Sequence, residues 1–259
     1  MSSLTRMLAV LDLFEAAVAP LDADTICVRL NYSRPTGYRY IAELVRAGLV
    51  ARLGNSTYGL GPRIIELDYA IRAGDPVLAA SAPVMRELVA ATGGDSTLAS
   101  SYGERIVTLH HEAGPEALML TYSRGRIMPL LRGALSKCLV AHFPRARQRR
   151  IHQDHAREIK AGGLGDDWPA FRSTLALIRK QGYAVSIGEL DAGLMALAVP
   201  VHDAEGGVLA TVAAVLRKQR FKLIDQARLV ALVTDAAQRI EHGMRATALA
   251  AGKVKARAK

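Results

Sequence analysis

Three places in this 259-residue chain hold side chains suited to acid–base or metal chemistry. His110-His111-Glu112 is the densest titratable cluster. It lies in a run that reads as a strand, and successive strand residues point to opposite faces, so the two imidazoles cannot meet at one site. His152 and His155 stand three apart beside a basic run, with no cysteine or second carboxylate at ligand spacing, which fits surface histidines better than a metal site. Glu189 and Asp191 form the one tempting carboxylate pair, in a glycine-flanked loop where solvated or turn-forming side chains are expected. The sequence contains no GxSxG, no glycine-rich phosphate loop and no HExxH. No catalytic residue, metal or cofactor is assigned, and the chain is read as a non-enzyme.

A different chemistry, hydrogen bonding to base edges and phosphates, is offered by Arg34, Thr36, Tyr38 and Arg39. They fall in the first two turns of a helix that the sequence marks at both ends. Ser33 is an N-cap, Pro35 sits where a missing N–H costs little, and Ala47-Gly48 stops it. Its apolar side is expected to be Tyr38, Ile41, Leu44 and Val45. Ahead of it, Ile26 and Leu30 share one face of a short helix, and Asn31 suits a left-handed turn. Behind it, Leu49–Leu53, the turn Gly54-Asn55-Ser56 and Tyr58–Leu60 read as a hairpin. Helix, tight turn, helix and hairpin make a winged helix-turn-helix, whose second helix enters the major groove of DNA. The expected contact set is Ser33, Arg34, Thr36, Tyr38 and Arg39, with Arg52 and Asn55 on the wing. Gly37 costs about 1 kcal/mol relative to alanine inside a helix, which points to a close backbone approach.

The net charge of +10 favours nucleic acid, yet its distribution is uneven. In residues 1–75 eight arginines meet eight acids, so the DNA reader is neutral and depends on where its arginines point. The excess lies between Arg124 and Lys160, expected to be mostly solvated surface, and in the tail from Lys253 to Lys259, which is suited to extra phosphate contacts. Cys27 and Cys138 are the only cysteines and show no pairing pattern, which suits a reduced cytoplasm. No charged leader or apolar run of about 20 residues occurs, so the expectation is a soluble, cytoplasmic, nucleoid-associated protein with no membrane partner.

Leu4 to Ala17 should form a first helix, with Leu4, Leu8, Leu11 and Phe14 or Val18 packed behind the reader. Pro62 opens a further helix with Ile64, Ile65 and Leu67, ending near Gly74-Asp75-Pro76. The next helix, stopped by Gly93-Gly94, precedes strands at Ser96–Tyr102, Ile106–His111 and Leu118–Tyr122. Helices at Ala134–His142 and Trp168–Gln181 follow, then strands at Tyr183–Ile187, Met195–Val201 and Val208–Leu216, and a final helix from Leu223 to Ala248. The fold class expected is α+β with a mostly antiparallel sheet in the larger domain. The expected division is a winged helix-turn-helix in 1–61, a linker helix in 62–74, a second domain in 75–248 and a basic tail in 249–259.

These segments together resemble the IclR family of bacterial transcriptional regulators. The likeness is carried by the helix-turn-helix, by Tyr58-Gly-Leu-Gly-Pro-Arg63, by Gly125–Leu130 with Gly133–Ala141, and by Arg179–Val185 with Glu189, Gly193, Ala198–Asp203 and Gly206. The resemblance implies a GAF-like effector-binding second domain and a homodimer or homotetramer, with Tyr69 and Ile71 of the linker helix as candidate dimer contacts. It also implies a ligand pocket near Ala134 and Leu135, whose amides would hold a carboxylate at a helix N-terminus, with side chains at Ser186, Ala196, Ala213 and Val215. Members that bind very small oxoacids place Asp, Cys and two Ser at those last four positions, whereas this chain has one Ser and three apolar residues. A small polar anion would leave groups unpaired there, at about 1–3 kcal/mol each. The expected effector is therefore a larger, flatter acid, an aromatic carboxylate, packed on Leu118, Leu120, Met128, Leu130 and Val215. The expected partners are a double-stranded DNA operator and this acid. The other reading is a metabolite sensor that works through protein partners and carries a weak DNA reader.

Overall fold

The computed structural model describes residues 2–15, 19–54 and 56–257, with side chains through residue 247. The chain forms two compact units, divided between Asp75 and Pro76.

In the first unit, α1 (Ser3–Asp12), β1 (Leu21–Asp22), α2 (Ala23–Leu30), α3 (Arg34–Arg46), β2 (Val50–Leu53), β3 (Thr57–Leu60) and α4 (Arg63–Gly74) follow in order. Its core is Val10, Leu21, Ile26, Tyr40, Ile41, Leu44 and Val50. α2 starts because the Asp22 carboxylate accepts the Thr25 N–H at 2.8 Å, and it ends because Asn31 takes the left-handed conformation (φ 53°). β3 lies between β1 and β2 as an antiparallel wing. Three expectations are corrected. α1 ends at Asp12, with residues 16–18 outside those described, and it buries Val10 while Leu4 and Leu8 stay exposed. The inward face of α3 is Gly37, Tyr40, Ile41 and Leu44, so Tyr38 and Val45 are exposed. Both assignments keep helical spacing, and Tyr40, with its ring edge-on to Tyr32 at 5.6 Å, is the tyrosine that finds a partner. Ser33 begins α3 in extended geometry, but its hydroxyl pairs with Thr36 Oγ1 at 3.0 Å instead of capping a backbone N–H.

The second unit comprises α5 (Pro76–Thr92), β4 (Asp95–Tyr102), β5 (Arg105–Glu112), β6 (Ile127–Met128), α6 (Ala134–His142), α7 (Arg145–Asp154), α8 (Ala156–Ala161), α9 (Trp168–Gln181), β7 (Ala184–Ile187), β8 (Leu194–His202), β9 (Val208–Arg217), α10 (Lys218–Phe221) and α11 (Gln226–Arg257). The strands make one antiparallel sheet in the order β6-β5-β4-β9-β8-β7. Alternation along each strand feeds two cores. Leu98, Leu197, Val212 and Leu216 meet α5 and α11, while Ala99, Ala198 and Ala213 meet α6 and α9. The class is α+β, as antiparallel strands in two consecutive groups with helices before, between and after them require.

The expected strand at Leu118–Tyr122 is absent. The segment alternates buried Leu118 with exposed Met119, but the buried Asp95 carboxylate holds it as a loop through the Gly114 and Leu118 N–H groups. Two helices not expected, α7 and α8, occupy the basic stretch. Each is anchored by a single buried isoleucine, Ile151 or Ile159, and buried Gln148 donates to the carbonyls of Val140 and Ala141 at the end of α6. One apolar anchor per helix is too sparse a stripe to read as a period. The last helix continues past Ala248 to Arg257, so its backbone runs through the segment expected to be a separate tail.

Candidate functional site

The titratable clusters resolve into structural pairs. His110 and His111 do point apart. His110 Nε2 lies 3.1 Å from Glu112, and His111 Nε2 lies 2.7 Å from buried Asp95 on the next strand. His152 packs its ring near Trp168 and Phe171, and His155 faces Glu158 at 3.1 Å. Burial pushes the Cys138 thiol up to about 12 and raises that of Cys27 as well, which leaves neither as a ready nucleophile. Among the described residues no group of three or more His, Cys, Asp or Glu is arranged to hold a metal ion.

On α3, Ser33, Arg34, Tyr38 and Arg39 are exposed and Thr36 is half-buried, all within the first two turns. Arg52 is exposed on β2, and Asn55 lies outside the described residues. Arg34 and Tyr38, one turn apart, converge on Asp24 at the start of α2. Arg34 Nη2 donates to Oδ2 at 2.7 Å, and Tyr38 Oη reaches Oδ1 at 3.5 Å. Sequence reading missed Asp24 because ten residues and a turn separate it from Arg34. Among the described residues no acid pairs with Arg39, whose guanidinium sits 5.6 Å from the centre of the Tyr40 ring. The helix thus presents one arginine held in place by a carboxylate and one available to an outside anion.

In the second unit a cavity opens between the sheet and the start of α6, enclosing about 460 Å³ with its mouth included. Its floor crosses four neighbouring strands, with Thr97 on β4, Val215 on β9, Ala196 on β8 and Ser186 on β7. Leu120, Tyr122, Met128, Ala134 and Leu135 line its walls, and the loop from Gly188 to Leu194 closes one side. Three residues expected in this cavity are elsewhere. Leu118 is buried in the loop held by Asp95. Leu130 faces a separate depression beside Arg147, Arg150 and Ile151. Ala213 is fully buried one register step away, in the core beneath α6.

α6 begins at Gly133, whose φ of 86° demands glycine. The first hydrogen bond of the turn runs from Lys137 N to Gly133 O, so the N–H groups of Ala134 and Leu135 precede the helical ladder, and among the described residues nothing accepts from them. Glu189 and Asp191 are not a solvated pair. Glu189 Oε1 lies 2.5 Å from Lys137 Nζ, and its Oε2 accepts the Gly133 N–H at 2.9 Å. Asp191 accepts from Thr121 Oγ1 at 2.5 Å. These bonds staple the loop to α6 and to the opposite wall, so the two carboxylates that line the cavity are already engaged. Thr97 is 3% exposed, and its Oγ1 has no hydrogen-bond partner. A threonine inside an ordinary strand gives no sequence signal of this, because its isolation depends on three strands brought beside it.

A winged helix-turn-helix joined to an α+β unit is the architecture of a DNA-binding regulator. Residues 3–54 match the IclR helix-turn-helix domain, and residues 73–242 match the bacterial transcriptional regulator IclR C-terminal domain. The chain belongs to the IclR family of bacterial transcriptional regulators, which are not enzymes. It is 30% identical to the HTH-type transcriptional regulator KdgR of Dickeya chrysanthemi, over 83% of this chain and 71% of that one. It is 26% identical to the Pca regulon regulatory protein of Pseudomonas putida, over 81% and 72%. An IclR homolog from Microbacterium hydrocarbonoxydans, solved as a complex with 4-hydroxybenzoate, superposes with a TM-score of 0.75 over 95% of this chain and 100% of that one, at 24% identity.

Proposed function

We propose that this regulator senses an aromatic carboxylate in the cavity at α6 and answers by changing how its α3 helices hold a DNA operator. The observation that carries the ligand class is the cavity's composition. Val215, Ala196, Leu120, Met128 and Leu135 offer a flat apolar middle, and the free N–H groups of Ala134 and Leu135 offer a carboxylate one end. The 4-hydroxybenzoate held by the Microbacterium hydrocarbonoxydans protein is an acid of this kind.

On the DNA side, Ser33, Arg34, Thr36, Tyr38 and Arg39 are the base and phosphate readers, with Arg52 and Asn55 on the wing following the backbone. A homodimer or tetramer would pair two readers over the half-sites of a near-palindrome. α4 buries none of its residues and leaves Ile65, Leu67, Tyr69 and Ile71 exposed, which supports a role for Tyr69 and Ile71 in subunit contacts. We assign 1–61 to DNA reading, 62–74 to the link and 75–248 to sensing. The ligand can shift the readers only by its differential affinity for their two arrangements.

Ala213 is too deep to test the cavity, since a large residue there would break the core. Ala196, at the middle of the floor, is the better probe. Ala196→Trp is expected to abolish the response to benzoates in a fluorescence anisotropy titration on operator DNA while leaving affinity without ligand within about threefold. A normal response in that variant contradicts the assigned cavity, and tight binding of glyoxylate with none of benzoates contradicts the ligand class.

A further inference from the structure

Two contacts fix the direction of α6 over the sheet. Near its start, Thr211 Oγ1 of β9 donates to the Leu135 carbonyl at 3.4 Å, and at its far end the His142 ring packs edge-on to His202 of β8, 6.1 Å between centres. Pro200 of β8 stands opposite Thr211, so the helix runs from the Thr211–Pro200 pair toward His202. Its N-terminus faces the other way, over the row Thr97–Ala213–Ala198 and then over the cavity floor, Val215–Ala196–Ser186. Helix N–H groups point toward the N-terminus, so those of Ala134 and Leu135 point into the cavity from beside the row that Thr97 begins.

Buried hydroxyls in folded proteins are almost always hydrogen-bonded, and leaving one unmade costs free energy. Thr97 is 3% exposed and lines the cavity, and among the described residues its hydroxyl has no partner. Its neighbours in the row, Ala213 and Ala198, are methyl groups that offer it none. Ser136 also has a buried hydroxyl without a partner, but it does not line the cavity.

We propose that Thr97 is a third donor of the carboxylate site, its hydroxyl completing with the Ala134 and Leu135 amides a cradle for the ligand's anionic end. This rests on the acid reading above and adds to it the residue that selects the ionised group. A carboxylate has two oxygens and about four lone-pair directions, so two amides leave it short of partners once it has left water. A hydroxyl donating to it makes a charge-assisted bond, stronger than one to a neutral acceptor. The Glu189 carboxylate nearby is offset by Lys137 Nζ at 2.5 Å, which limits its repulsion of a second anion. The hydroxyl left without a partner in the empty protein thus finds one only when the acid is bound.

The test is calorimetric titration of the full chain with benzoate, 2-naphthoate and glyoxylate, using the wild type, Thr97→Val, Thr97→Ala and Thr97→Ser. Thr97→Val and Thr97→Ala are expected to bind both aromatic acids at least tenfold more weakly than the wild type. The factor should be the same for the two, since they share a carboxylate and differ in the ring. Thr97→Ser, which keeps the hydroxyl, should stay within about threefold of the wild type. Without ligand, Thr97→Val should melt at or above the wild-type temperature, since an unsatisfied hydroxyl has been removed. Wild-type affinity in Thr97→Val, an equal loss in Thr97→Ser, or a loss confined to one aromatic acid overturns the role of Thr97 and leaves the acid reading standing. Binding of glyoxylate alone, weakened at least tenfold in Thr97→Val, supports Thr97 and overturns the aromatic class. Binding of none of the three acids overturns both.

Discussion

Gly37→Ala will destabilise the DNA-reading unit, and Cys27→Ala in the same chain will restore most of the loss. α2 and α3 cross so closely at Gly37 that a Cβ there would lie 2.2 Å from Cys27 Sγ, far inside van der Waals contact, yet 3.6 Å from Cys27 Cβ, an ordinary separation. The thiol is buried, 3% exposed. Overpacking of this kind costs about 1–3 kcal/mol, more than the roughly 1 kcal/mol of helix propensity that alanine contributes. Cys27→Ala alone should cost less, because only one sulfur atom is removed. The double variant then shows a favourable coupling, the signature of two residues sharing one space. Thermal or denaturant unfolding of the four proteins measures it. A Gly37→Ala protein as stable as the wild type would mean that the helices are not packed at this distance. The same crossing sets the pitch of Thr36 and Tyr38, so DNA affinity should fall along with stability.

Arg39→Ala should reduce specific DNA affinity by about 10–100-fold, the range for loss of one good base-edge contact of 1–3 kcal/mol, with no change in unfolding. Arg39 is exposed and, among the described residues, has no carboxylate partner, so its removal leaves no buried charge behind. Arg34→Ala differs in kind. It also frees Asp24, which then faces the DNA as an unpaired negative charge and adds repulsion to the lost contact. Competition anisotropy against scrambled DNA separates specific from general binding, and circular dichroism checks the fold. Unchanged operator affinity in Arg39→Ala would remove α3 as the reading helix.

The features legible in the sequence are those written in local chemistry. Asn31, Pro35 and Gly48 mark the helix-turn-helix because caps and turns depend on neighbours a few residues away. The apolar runs of β8 and β9 read as strands for the same reason, bounded by the turn at Glu205-Gly-Gly207. What escaped depends on distant partners. Tyr38 and Tyr40 have equal claims on helical spacing, and only the approach of Tyr32 turns Tyr40 inward. Leu118–Tyr122 has a strand's pattern, but the Asp95 carboxylate on β4 takes the Gly114 and Leu118 N–H groups and holds the segment as a loop. Glu189 looked solvated because its partners, Gly133 and Lys137, lie more than 50 residues earlier in the chain. Thr97 could not be singled out by any local rule.

The most direct measurement is an anisotropy titration of the wild-type protein on DNA sites enriched from a random pool, with and without 4-hydroxybenzoate, across a range of salt concentrations. The account predicts saturable binding well above that for scrambled DNA, an affinity that falls steeply with salt as phosphate contacts require, and a several-fold shift in midpoint with the aromatic acid but not with glyoxylate. Equal affinity for enriched and scrambled DNA, or a midpoint moved by glyoxylate and not by the aromatic acid, would contradict it.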